Sequence, residues 1–106
     1  MYLYVLQLFK IEYRDDILLA MTSAGIKRAT VLEGTNFDKI LEQEYPLFTG
    51  LFRGPEDRAR FSHLVFGMVD EPELLDSFVH LLVQAGIDNK KEEIYRLILL
   101  EGRALG

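Results

Sequence analysis

The sequence predicts an α+β domain with the element order β-α-β-β-α-β, and three observations carry that reading. Apolar residues switch along the chain between a strand period of two and a helix period near 3.6. Ala24-Gly25-Ile26, which ends the first helical stretch, returns as Ala85-Gly86-Ile87 at the end of the second, and Leu32-Glu33-Gly34 returns as Leu100-Glu101-Gly102 at the end of the following strand. The 106 residues, 49% of them hydrophobic, suffice for one core of two packed layers and leave no room for a catalytic domain with a separate cofactor domain.

Residues 2–9 (YLYVLQLF) are aromatic or branched, apolar on both alternating faces except at Gln7, and too short for a helix stable in water, so they read as a buried central strand. Tyr13, Ile17, Met21 and Ala24 then fall three or four apart and define an amphipathic helix. Asp15 and Asp16 suit its positive first turn, and Gly25 supplies the left-handed residue that ends it. Residues 26–33 return to a strand period diluted by Lys27, Arg28 and Glu33, as expected nearer a sheet edge. From Gly34 to Arg58 the pattern dissolves among Gly34, Pro46, Gly50, Gly54 and Pro55, with a short helical turn expected at residues 38–44. A connection this long in so small a domain suggests function.

Residues 59–69 form the third strand, with Phe61, Val65 and Val69 on one side and Leu64, Phe66 and Met68 on the other. Asp70-Glu71-Pro72 then caps a second helix at residues 72–85, striped by Leu74, Leu75, Phe78, Leu81, Leu82 and Ala85 and stopped by Gly86. A charged turn at residues 88–93 leads into a fourth strand at residues 94–100. Two βαβ halves joined by right-handed crossovers give a four-stranded antiparallel sheet in the spatial order 4-1-3-2 with both helices on one face, the ferredoxin-like arrangement. Strands one, three and four supply apolar residues to both faces, so the face away from the helices needs a cover. Packing of sheet against sheet in a homo-oligomer is the expected solution, and a fold-back of residues 34–58 over the sheet is the alternative.

Composition removes several classes of function. The absence of cysteine excludes disulfides, thiolate zinc sites, iron–sulfur clusters and cysteine nucleophiles. A formal charge of −5 gives no overall field for nucleic acid. No run reaches the roughly 18 apolar residues of a membrane span, and the first residues lack the basic start of a cleavable signal, so a cytoplasmic protein not embedded in membrane is expected. No nucleophile elbow, phosphate-binding loop, dinucleotide fingerprint or HExxH motif is present, and no enzyme activity or cofactor is expected.

The passage from Asp16-Ile17-Leu18 through Ala24-Gly25-Ile26 to Ala29-Thr30-Val31-Leu32-Glu33-Gly34 resembles the helix-to-second-strand passage of PII-like proteins, small trimeric regulators related to the nitrogen regulatory PII proteins. The resemblance covers the whole chain in element order, with residues 34–58 in the place of the T-loop. It implies a homotrimer in which an adenine nucleotide or another small anion binds in clefts between subunits and reorders the T-loop, which docks on a target protein. Residues 87–91 then take the phosphate-side loop and residues 101–106 the C-terminal arm. The effector-binding residues so implied are Gly34, Arg58, Gly86, Lys90, Lys91 and Arg103.

Other groups carry chemistry of their own. Lys90 and Lys91 suit anionic oxygens, or else pair with Glu92 or Glu93 as a solvated turn. Lys27, Arg28, Arg53, Arg58 and Arg60 form a scattered basic set flanking the long loop, placed either to face a bound anion across a subunit cleft or, for most of them, to be solvated at the surface. Tyr45, Pro46, Leu47, Phe48 and Phe52 carry more apolar mass than a mobile loop needs and form a candidate partner-binding element, or a flap on the chain's own assembly. His63 and His80 have no second ligand at metal spacing. The leading expectation is thus a PII-like regulator acting through residues 34–58. The alternatives are a small dimeric ferredoxin-like enzyme using His63 with Tyr4 or Tyr95, and a CutA-like trimeric metal-binding or structural protein.

Overall fold

A computed structural model describes residues 1–45, 47 and 60–106. Strand β1 (Tyr2–Leu8) leads through a 3-10 turn (Ile11–Tyr13) into helix α1 (Arg14–Ser23). Strand β2 (Thr30–Thr35), helix α2 (Phe37–Glu44), strand β3 (Phe61–Val69), helix α3 (Glu73–Gln84) and strand β4 (Tyr95–Glu101) follow. The result is an α+β domain around one four-stranded antiparallel sheet, compatible with the ferredoxin-like arrangement. Its strands lie in the order β2-β3-β1-β4, which is 4-1-3-2 counted from the other edge.

The pleat decides which residues meet the helices. Tyr4, Leu6 and Leu8 share one face of β1, and their partners Gly67, Val65 and His63 on β3 share it with them. Ile17 and Met21 from α1 and Leu75, Phe78 and Leu82 from α3 join Tyr4, Leu6, Leu8, Val65 and Tyr95 in one core. Phe78 meets Tyr95 edge-on at 6.5 Å between ring centroids, a favourable aromatic geometry.

The repeated Ala-Gly-Ile triplets build the same device twice. Gly25 and Gly86 have φ of +91° and +79°, the left-handed region that glycine enters without steric cost. The amide of Ile26 donates to the Met21 carbonyl at 3.0 Å and that of Gly25 to Thr22 at 3.1 Å; Ile87 donates to Leu82 at 2.8 Å and Gly86 to Val83 at 3.0 Å. These are two Schellman caps, and each isoleucine they deliver is buried.

Two expectations need correction. The second strand begins at Thr30 rather than at residue 26, because Ile26 belongs to the cap of α1 and the first ladder pair is Thr30 with Phe66. The short helical turn is a two-turn helix, so there are three helices among the described residues rather than two. Phe37, Ile40 and Leu41 give α2 an apolar stripe at helical spacing, and Lys39 pairs with Glu42 at 3.3 Å. This helix buries none of its residues.

A Cβ placed on Gly86 would meet nothing within 4 Å, so a side chain there enters open space and only the backbone conformation objects. Gly86→Ala is expected to lower stability by about 1 kcal/mol, read as a shift of the urea midpoint at unchanged slope.

Candidate functional site

The second face of the sheet is an apolar lattice. Cross-strand register places Met68, Leu3 and Leu100 in one row, Thr30, Phe66, Val5 and Ile98 in the next, and Leu32, Leu64, Gln7 and Arg96 in the third. Met68, Ile98, Leu32 and Leu100 are 45%, 46%, 49% and 54% exposed. The helix-facing core uses the opposite side of the same strands, so among the described residues the two-sided apolarity of β1, β3 and β4 is satisfied on one side only, and most of the segment expected as the alternative cover lies outside the described residues.

At one end of this face lies an open groove of about 810 Å³. Lys27, Arg28, Ala29 and Thr30 line one side, Phe66 to Val69 the floor, and Met1 and Leu3 the far side. Lys27 and Arg28 are exposed and form no ion pair among the described residues, while Asp70 places one carboxylate on the rim. Two free cations over an apolar floor suit a ligand that joins an anionic group to an apolar or aromatic one.

The sequence-derived effector residues lie elsewhere and apart. Gly34 sits in edge strand β2 opposite Ser62, whereas Lys90 and Lys91 precede β4 at the other edge. Three strand spacings, roughly 14 Å, separate those edges. Arg103 follows the far end of β4, a strand's length from Lys90, roughly 20 Å for seven residues. Within one chain these groups do not form one site. Gly86 serves the α3 cap, and Arg58 lies outside the described residues. Of the loop set, Tyr45 and Leu47 are exposed, and Pro46, Phe48 and Phe52 lie outside the described residues.

The turn before β4 is held by Asn89. Its Oδ1 accepts from the Ile94 and Tyr95 amides at 2.9 and 3.2 Å, and its Nδ2 donates to the Tyr95 carbonyl at 2.9 Å. The Lys90 amide donates to the Asp88 carboxylate at 3.1 Å, which closes the turn. Glu92 pairs with Lys10 at 3.4 Å and Glu93 with Arg96 at 2.8 Å, so neither engages the two lysines.

His63 is 7% exposed, its Nε2 lies 3.8 Å from Glu33, and its Nδ1 has no hydrogen-bond partner. His80 is exposed and meets Gln84 at 3.1 Å. No group of three or more potential metal ligands occurs among the described residues. The enzyme alternative required His63 near Tyr4 or Tyr95. Tyr4 pairs with Gly67, four residues along β3 from His63 and roughly 13 Å away, and its hydroxyl donates to the Arg28 carbonyl at 2.9 Å. Tyr95 shares a row with His63 but with Leu8 between them.

Sequence reasoning missed the groove. The usable signal was Gly67, a glycine inside an apolar strand, which marks a close approach of another chain segment. No protein-family model matches the chain, and no curated protein matches it. No helix among the described residues is long and apolar enough to cross a membrane.

Burial raises the phenol pKa of Tyr4 above its ordinary 10, and burial followed by the Asp88 carboxylate raises that of Tyr95. Both groups fold as neutral phenols, so their contribution to stability is complete below pH 10 and is lost as pH rises through the folded-state values. Urea stability measured against pH should therefore fall above 10, with a shallower fall in a Tyr4→Phe, Tyr95→Phe double variant. Asn89→Ala leaves two amides and a carbonyl in want of partners and should cost about 2–3 kcal/mol, with faster amide exchange at Ile94 and Tyr95.

Proposed function

We propose that the chain is a non-enzymatic, PII-like regulatory protein: copies associate as a homotrimer through the half-exposed apolar sheet face, a small anionic effector binds beside that face, and residues 34–58 carry the bound state to a partner protein. The observation that carries the reading is the lattice of Leu3, Val5, Leu32, Phe66, Ile98 and Leu100, which continues across all four strands. Rows about 7 Å apart on strands about 4.8 Å apart give a patch on the order of 300 Å², comparable with the largest apolar patch of an ordinary monomer, which is often functional. At about 25 cal/mol per Å², covering it is worth several kcal/mol per copy before the cost of association.

Two further features support it. The groove shares Leu3, Phe66 and Met68 with the apolar face, so a copy seated on that face reaches the groove mouth. Gly34, Lys90 and Arg103, split between opposite edges and ends of one sheet, can meet only across a boundary between copies. The effector chemistry that fits is an anion attached to a flat or apolar group, of which an adenine nucleotide is one.

Sedimentation equilibrium at micromolar concentration should give a trimer, and Ile98→Glu, which sets a charge in the middle row, should give a folded monomer. A monomeric parent chain overturns the assembly, and a dimer favours the enzyme alternative. Calorimetry with ATP should show binding by the parent chain that weakens about tenfold or more in a Lys27→Gln, Arg28→Gln double variant.

A further inference from the structure

We propose that Tyr4 is a positioning residue for the groove: its hydroxyl, crossing β3 over Gly67, holds the Lys27-to-Thr30 wall in place and so sets the groove's affinity for an anionic ligand. This rests on the reading of the groove as the effector site. Tyr4 is 1% exposed and does not line the groove, so any influence it has on a ligand passes through what its hydroxyl holds.

The hydroxyl holds Arg28, donating to its carbonyl oxygen at 2.9 Å. A Cβ placed on Gly67 would lie 2.7 Å from the Tyr4 hydroxyl and 2.8 Å from the same carbonyl oxygen. The hydrogen bond thus fills the volume that a side chain at position 67 would take, and glycine is the residue that leaves it open. Tyr4 and Gly67 are register partners, so the tyrosine reaches over its own neighbour to a third segment.

That segment has few other anchors. Ile26 is fixed by the cap of α1 and by burial, and the ladder of β2 starts at Thr30. Residues 27–29 span the gap, and among the described residues the bond to Arg28 is the hydrogen bond that attaches them between those two points. Removal of the phenol oxygen frees the wall that carries both unpaired cations, while the tyrosine ring and its packing under α1 and α3 are kept in phenylalanine.

The test is a double-mutant cycle on ATP affinity, measured by calorimetry for the parent chain, Tyr4→Phe, Arg28→Gln and the double variant, with amide exchange followed in parallel. Tyr4→Phe should weaken ATP about three- to tenfold, the worth of one hydrogen bond. It should speed exchange at residues 27–30 while the amides of β1 and β3 keep their protection. Arg28→Gln should cost less in the Tyr4→Phe background than in the parent, because the cation has already lost its placement. A loss of global stability alone would leave the two effects multiplicative and the exchange change spread over the sheet. Unchanged affinity in Tyr4→Phe, or multiplicative losses, overturns the positioning role and leaves the groove reading standing. Binding of ATP that Arg28→Gln does not weaken, or no binding by the parent chain of ATP or inorganic triphosphate, overturns the groove reading and this inference with it.

Discussion

Strand β1 lies between β3 and β4 and is apolar on both of its faces, and the rest of the molecule answers to that constraint. On the side of Tyr4, Leu6 and Leu8 the answer is internal. The two crossovers place α1 and α3 over the same three residues, and the core closes with Tyr4, Leu6 and Leu8 each at 1% exposure. On the side of Leu3 and Val5 the chain carries apolar residues with no matching helix among the described residues, and the flanking Ile98 and Leu100 remain about half exposed. A sheet built only to be solvated on that side would alternate polar with apolar residues, as antiparallel sheets with one wet face do. Here the alternation fails in three of four strands.

Most of the fold was legible because its elements carry local signals. The Ala-Gly-Ile triplets specify helix ends through a conformation that glycine alone enters freely, and the structure uses both in the same hydrogen-bond pattern. Ile26 shows why the neighbouring boundary falls later than its pattern suggests. Its branched side chain and the run after it resemble a strand, yet the residue answers to the cap behind it, and the segment joins the ladder only at Thr30. A strand's start depends on where its partner begins, which is tertiary information. The extra turn of α2 was hidden for the opposite reason. Its stripe of Phe37, Ile40 and Leu41 is a sound helical pattern, but no buried face accompanies it to mark it as more than a turn.

The site was legible only in part, for reasons that lie in particular residues. Lys90 and Lys91 looked like anion ligands because ammonium groups in a turn suit phosphate oxygens. The structure shows the backbone of that turn held by the Asp88 carboxylate on the Lys90 amide and by Asn89 beyond it, with Lys90 and Lys91 themselves exposed. Lys27 and Arg28 looked like the dilution of an edge strand and like members of a scattered basic set. Once the ladder starts at Thr30, they are instead the two cations on a segment outside the sheet, with a groove beneath them. The sequence distance between Tyr4 and Arg28 is 24 residues, and no local pattern announces a bond across it.

The overall charge of −5 bears on this groove less than its immediate neighbours do. Screening at physiological ionic strength limits exposed charges to a range of about 8 Å, so a ligand approaching the groove responds to Lys27, Arg28 and Asp70, which line it, before it responds to the acidic first turn of α1, a helix length away from the Lys27 end. Among the side chains that line the groove, two cations against one carboxylate leave a small positive balance inside a negative molecule. Such a balance is too weak to concentrate anions by field alone, and discrimination then falls to geometry: the apolar floor of Phe66 and Met68 for the body of the ligand and a fixed wall for its charge. A wall that must supply geometry has to be held, and among the described residues the Tyr4 hydroxyl is the side-chain group placed to hold it.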